Sequence, residues 1–480
     1  MTFMRGKLGT LALAASLAIG CGGGAPKSGL GDPVTTGGKG GGGKSGTGGK
    51  GSGGGAGGDM GGEGGAGGGS IPPFTPDTPK IPFGSHTFKY PAGVLKPSLP
   101  QEMLDDLVKA YYTKWDEKYL VQKCGGYVVQ TEGGTGAADG TFTVSEGHGY
   151  GMIITAMMAG HDQKAQEKFN GLYWVFRKFP STNTDDLMDW QILNKCPAGA
   201  TCKQPAPGCF RIDGPESGSA TDGDMDIAFA LLLADKQWGS AGSINYLAEA
   251  RKVIAAVKMK EMNPQTKFPL LADDIDNTDK MYFTTRPSDF MLDHFRAYGK
   301  ATGDMFWMQS VEGIYGLLAN LQTKYAPMTG LVPDFVVKTD TMPEPAPVRW
   351  PEDEGLTTAE FAYNSCRVPW RVGTDYIATG DMRAKAILKK MNDWIKTASS
   401  NMPGNIMDGY KLDGSKGSDT SGPDLSFTAP FAVAAITDTD QNWVDLTWAS
   451  VMRGQIELYF GDSIKMISMI VISGNWWAPN

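Results

Sequence analysis

Beyond residue 100, apolar residues recur every three or four positions, the period of a helix that hides one face. This spacing predicts helices over about 101–118, 147–159, 162–178, 224–236, 243–260, 288–301, 304–322, 368–378, 381–398, 428–436, 441–459 and 463–472. Strand-like alternation is short and weak. Related turns join several neighbouring helices: Ala159-Gly160-His161-Asp162, Thr302-Gly303-Asp304 and Thr379-Gly380-Asp381. Glycine suits the end of one helix and aspartate the cap of the next. Within a pair, one helix is apolar all round, as Ile227-Ala228-Phe229-Ala230-Leu231-Leu232-Leu233-Ala234 is, and the next is amphipathic. About twelve helices in inner and outer pairs predict an all-α fold, a closed (α/α)6 barrel.

Two acidic junctions feed the most apolar helices. Ala220-Thr221-Asp222-Gly223-Asp224-Met225-Asp226 opens one, and Ser145-Glu146-Gly147-His148-Gly149-Tyr150-Gly151 opens another. In a double ring, such helix mouths face one cleft. Carboxylates gathered there suit acid–base chemistry. Capping is the structural alternative, because acids favour the first turn of any helix.

The ends and the composition narrow the class. Arg5 and Lys7 precede an apolar run over 11–19 and then Gly20-Cys21. The segment 1–21 therefore reads as an export signal of lipoprotein type, with Cys21 acylated. Residues 22–80 are Gly-rich and then Pro-rich, a flexible tether without a core. Residues 81–480 form the expected catalytic domain. A net charge of -8 over 480 residues argues against a nucleic-acid partner. Of six cysteines, Cys196–Cys202 or Cys202–Cys209 can staple a Pro/Gly-rich loop, and Cys124 and Cys366 read as buried thiols. With four histidines and no CxxC pair, neither a metal nor any other cofactor is expected.

The chain resembles glycoside hydrolase family 8. The resemblance rests on the Asp222 and Glu146 segments, Leu187-Met188-Asp189-Trp190, Arg286-Pro287-Ser288 with His294-Phe295-Arg296, Tyr363-Asn364-Ser365-Cys366-Arg367-Val368-Pro369-Trp370-Arg371, and Ser473-Gly474-Asn475-Trp476. It implies an (α/α)6 barrel and inverting hydrolysis of β-1,4-linked glucans, xylans or chitosan. It also implies Glu146 as general acid and Asp222 as the acid that distorts the sugar and stabilises charge. Asp224 and Asp226 read as structural. One branch of the family places Asp before the Arg-x-Pro-Trp-Arg segment, where this chain has Asn364. Another branch keeps Asn there and takes its base from an upstream loop. That spacing implies Glu354 as general base, with Glu352 and Asp353 as competitors.

Tyr150, Trp190, Tyr363, Asn364 and Arg367 are the expected substrate-site residues, the aromatics by stacking on sugar faces and Arg367 by charge-assisted hydrogen bonds to the base loop or the water. Burial in the core is the alternative for each ring. The implied protein is a monomeric, exported endo-β-1,4-glucanase, membrane-anchored or secreted, acting on β-linked polysaccharide. A chitosanase, a mixed-linkage glucanase and an inactive polysaccharide-binding lipoprotein are the alternatives.

Overall fold

The computed structural model describes residues 74–131, 140–214, 217–350 and 355–479. The signal, the Gly-rich tether and Cys21 lie outside the described residues. Twelve α-helices run through the described part: α1 Gln101–Tyr119, α2 Ser145–Met157, α3 Ala165–Lys178, α4 Thr221–Trp238, α5 Tyr246–Lys260, α6 Leu292–Thr302, α7 Phe306–Lys324, α8 Val368–Thr379, α9 Met382–Ala398, α10 Leu425–Ala435, α11 Gln441–Arg453 and α12 Tyr459–Ile472.

The even-numbered helices close a ring in the order α2, α4, α6, α8, α10, α12 and back to α2. Each odd-numbered helix packs outside an even-numbered neighbour. This is the (α/α)6 barrel. Sequence explains which helix goes where. Every residue of α2 is buried, as is nearly all of α4, so both need protein on all sides. α9 and α11 keep a polar face and lie outside. The turns form as their residues predict. Gly303 and Gly380 end α6 and α8 in the left-handed conformation, with φ 72° and 73°. The Asp381 side chain caps α9 by accepting from the Arg383 N–H.

Two glycines set how closely the ring closes on its acidic side. A Cβ on Gly149 of α2 would lie 2.6 Å from the Asp226 Cβ, and one on Gly223 of α4 would lie 2.6 Å from the Ser145 carbonyl carbon. Only bare backbone permits that crossing. It brings the starts of α2 and α4, and hence Glu146 and Asp222, to one mouth.

Short strands frame that mouth: β1 Leu120–Lys123, β2 Gly126–Val129, β3 Thr141–Val144, β4 Gln191–Leu193, β5 Cys202–Ala206 and β6 Cys209–Ile212. β1 and β2 form a hairpin, and the rest form an antiparallel sheet in the order β3-β4-β6-β5. β3 runs straight into α2, and the Ser145 N–H donates to the Trp190 carbonyl at 2.9 Å. At the other end, residues 80–95 cross the C-terminal ends of the inner helices. Backbone N–H groups of Lys80, Phe83 and Leu95 donate to carbonyls of Gln237, Ala159 and Ile436, and the Tyr90 hydroxyl donates to the Val471 carbonyl.

Three expectations need correction. The helix expected over 441–459 ends at Arg453, because residues 454–458 are not helical and Gly454 leaves with ψ 127°. α12 correspondingly starts at Tyr459. Cys124 is no free thiol. It is bonded to Cys209, with Cα atoms 5.5 Å apart, and this leaves Cys196–Cys202 as the loop staple. Cys366 is a buried thiol, as expected.

Because the α2–α4 crossing has no room for a methyl group, Gly223→Ala should lower stability by about 1–3 kcal/mol. Urea unfolding of the purified variant measures this. A midpoint equal to the parent's would mean the two helices do not meet through backbone.

Candidate active site

The mouth of the barrel collects the N-terminal ends of the inner helices. Glu146 stands in the first turn of α2 and Asp222 in that of α4. A 3-10 turn, Pro287–Asp289, precedes α6 and begins just after Arg286. Another, Ser365–Arg367, leads into α8 and follows Asn364. Tyr459 opens α12, and Asp424 caps α10. Positive helix ends thus point at a cluster of carboxylates.

Arg367 joins the two acids. Its Nη1 donates to Glu146 Oε2 at 2.5 Å and to Asp222 Oδ2 at 2.9 Å. Its Nη2 donates to Asn364 Oδ1 at 3.2 Å, and Nη1 lies 3.4 Å from the Tyr150 hydroxyl. The Tyr459 hydroxyl donates to Glu146 Oε1 at 2.7 Å. Arg286 Nη2 lies 3.3 Å from Asp222 Oδ2, and its Nε donates to both Asp289 oxygens.

The two carboxyls occupy opposite electrostatic environments. Burial pushes Glu146 up to about 7; Arg367 and the Tyr459 hydroxyl pull it down, while the Asp222 charge adds to the rise. Burial also works against the charge of Asp222, but Arg286 and Arg367 outweigh it and hold that carboxyl down at about 2. One group can carry a proton near neutral pH while its neighbour stays an anion.

A second layer fixes the first. Arg371 grips Asp226 through two hydrogen bonds, at 2.8 and 2.6 Å. His294 bridges Asp226 and Asp293 and stacks on Phe229 with centroids 3.7 Å apart. Asp224 Oδ1 accepts from the Met188 N–H. Asp224, Asp226 and Arg371 are therefore structural. Asp334 accepts from the Ser365 N–H and hydroxyl and from the Ala362 N–H, which fixes the turn carrying Asn364 and Arg367.

The remaining expected contacts are placed unevenly. Trp190 is mostly buried beside the start of α2. Tyr363 is half-buried, its edge on Phe427 and its hydroxyl 3.4 Å from Asp424 Oδ2. Tyr150 is wholly buried, its ring edge against Trp370. Glu352, Asp353 and Glu354 lie outside the described residues. Sequence reasoning missed two groups. Arg286 stood in a matched motif, but nothing local ties it to Asp222. Tyr459 was hidden at the end of an overextended helix. Among the described residues, no three His, Cys, Asp or Glu side chains are grouped to hold a metal, and no helix is long and apolar enough to cross a membrane.

The glycosyl hydrolases family 8 model matches residues 110–474. The chain belongs to family 8 of the glycosyl hydrolases. This family 8 hydrolase is 43% identical over 405 residues to a beta-glucanase of Niallia circulans, covering 83% of this chain and 92% of that one. It is 41% identical over 397 residues to an endoglucanase of Bacillus sp. strain KSM-330, covering 81% and 80%. Among solved structures it resembles a β-1,3-1,4-glucanase of Paenibacillus sp. X4 at TM-score 0.74 and 42% identity, covering 84% of this chain and 100% of that one.

The Tyr459 hydrogen bond favours the Glu146 anion. Tyr459→Phe should therefore raise the Glu146 pKa further, so that the proton is held to higher pH. Carbon-13 NMR of glutamate-labelled protein would follow this titration. A shift downward, or none, would mean the hydroxyl does not act on Glu146.

Proposed function

We propose that this hydrolase cleaves internal β-1,4 bonds of a β-glucan, mixed-linkage or cellulosic, with inversion. The observation that carries this is the pair Glu146 and Asp222, adjacent acids whose environments drive their proton affinities apart. The relatives named as beta-glucanases and endoglucanases support the choice of substrate.

Glu146 gives its proton to the leaving glycosidic oxygen as the bond to the anomeric carbon breaks. Water attacks that carbon from the opposite face and loses its proton to Glu354. Asp222 stays ionised and stabilises positive charge developing on the sugar ring. Arg367 suits this cycle. When Glu146 is protonated, the guanidinium keeps Asp222 as its counterion, so no buried charge is orphaned. Asn364 orients the water through its amide, while Trp190 and Tyr363 hold the sugar. Tyr150 acts from beneath, through its hydroxyl near Arg367. Upstream, we read 1–21 as a lipoprotein-type signal, with Cys21 as the acylated residue that anchors the enzyme to the bacterial membrane.

Glu146→Gln should lose about 10²–10⁴-fold in turnover while still binding substrate. The parent's kcat/KM should fall as pH rises through about 7, where Glu146 gives up its proton. Proton NMR of fresh product should show the α anomer first. In the same assay Glu354→Ala should be nearly inactive and partly rescued by azide, while Glu352→Ala and Asp353→Ala stay mild. A β anomer first would refute inversion. Three active loop variants would move the base elsewhere, and a chain that binds glucan without releasing sugar would be a binding protein.

Fractionation of cells tests the anchor. Cys21→Ala should release the protein from membranes or stall its processing, because acyl chains hold it only through this residue. Equal partitioning of variant and parent would rule acylation out.

A further inference from the structure

The end of the barrel remote from the acids carries a second concavity. Its volume is about 270 Å³, and it is lined by Phe74 and Asp77 of the N-terminal segment, Gln166 and Asn170 of α3, and Ser243 and Tyr246 at the start of α5, among others. It shares no residue with the catalytic cluster. Asp222 and Trp238 stand at opposite ends of α4, sixteen residues apart. At about 1.5 Å per residue, that is about 24 Å. The Tyr246 ring packs against Trp238, with centroids 6.1 Å apart.

The floor of this cavity is polar and already ordered. The Tyr246 hydroxyl donates to Asn170 Oδ1 at 2.5 Å, and Gln166 Nε2 donates to the Tyr246 oxygen at 3.3 Å and to Asp77 Oδ2 at 2.9 Å. The Asp77 N–H returns a bond to Gln166 Oε1 at 2.6 Å. Gln166, Asn170 and Tyr246 are 5%, 3% and 3% exposed, so the floor is built from fixed side chains, while Thr75, Asp77 and Ser243 form an exposed rim. This network uses one end of the Asn170 amide and one oxygen of Asp77. The Asn170 Nδ2 donor and the Asp77 Oδ1 acceptor stand outside it. Phe74 and Ile244 supply apolar wall, and Thr75 and Ser243 supply hydroxyls.

Amide and carboxylate groups beside an apolar wall match a pyranose, which has apolar ring faces and a rim of vicinal hydroxyls. The volume is just below the roughly 300 Å³ at which ligand pockets begin, room for one sugar unit. The single carboxylate disfavours anionic ligands. We infer that this cavity is a non-catalytic binding site for one neutral pyranose unit of a polysaccharide chain. It takes a chain other than the one in the cleft, since the two sites face opposite ends of the barrel. Two linked contacts then hold the enzyme on an insoluble substrate better than the cleft alone.

The proposal rests on the glucan reading only for its probe. Ser243 is exposed, so Ser243→Trp fills the cavity from its rim without disturbing the core. Asn170→Ala removes a floor group instead. In the Glu146→Gln chain, equilibrium dialysis with cellotetraose should show one bound ligand fewer for either variant. Retention of the otherwise native enzyme on insoluble β-glucan should fall about tenfold or more, with kcat/KM on soluble glucan within about twofold of the parent. If either variant fails to fold, the other decides. Unchanged stoichiometry and retention would overturn the proposal, as would a matching loss on soluble glucan. A parent inactive on soluble glucan would sink the catalytic reading, while the dialysis would still decide the cavity.

Discussion

Arg367 lies between two buried acids, and the chemistry of the mouth depends on how its charge is divided. A guanidinium cannot shed its proton in a protein. Buried at 2% exposure, it needs a permanent counterion. Asp222 supplies one, held ionised by Arg367 and Arg286 together. Glu146 is then free to be either neutral or charged. The arrangement separates a structural requirement, balancing a buried cation, from a functional one, keeping a titratable proton. Were Glu146 the sole partner of Arg367, protonating it would leave a bare charge in the core.

The ring serves that arrangement. Residues far apart in sequence meet because the inner helices present their starts to one end, and short connections such as the Ser365–Arg367 turn aim side chains inward. The glycine crossing of α2 and α4 sets the spacing of the two acids. Below them, the Asp226–Arg371–His294 network neutralises its own charges and locks α4 to α6 and α8. The N-terminal segment ties the opposite ends of the inner helices together. Rigidity at both ends holds the acids in one geometry, the condition for preorganised catalysis.

Much of this could be read from residues alone, for a physical reason. All-apolar helices have nowhere to go but an inner layer, and acids at their starts have nowhere to go but a shared mouth. All twelve helices were foreseeable, and so was the meeting of Glu146 and Asp222 at one mouth; the bridging of the two by Arg367 was not. What escaped notice depends on distance in space. Cys124 meets Cys209 across a separation of 85 residues, through a strand arrangement whose short segments carry almost no periodic signal. Arg286 approaches Asp222 only once α4 and α6 are neighbours. Tyr459 was read as the end of one helix because Gly454 is a weak breaker in an otherwise continuous amphipathic pattern.

The helix starts raise an apparent conflict at Glu146. The dipole of α2 favours an anion in its first turn, and so do Arg367 and Tyr459. Yet burial outweighs them and the carboxyl rises to about 7. The dipole effect is modest, typically 0.3–1 kcal/mol and up to about 2 where partly buried. Desolvating a carboxylate can shift its pKa by several units, each worth about 1.4 kcal/mol. Asp222 is buried as deeply but faces two guanidiniums instead of a shared one, and there the balance reverses. Similar helix ends and similar burial thus yield one proton carrier and one permanent anion: Asp222 meets two guanidiniums directly, and its own charge adds to the rise at Glu146.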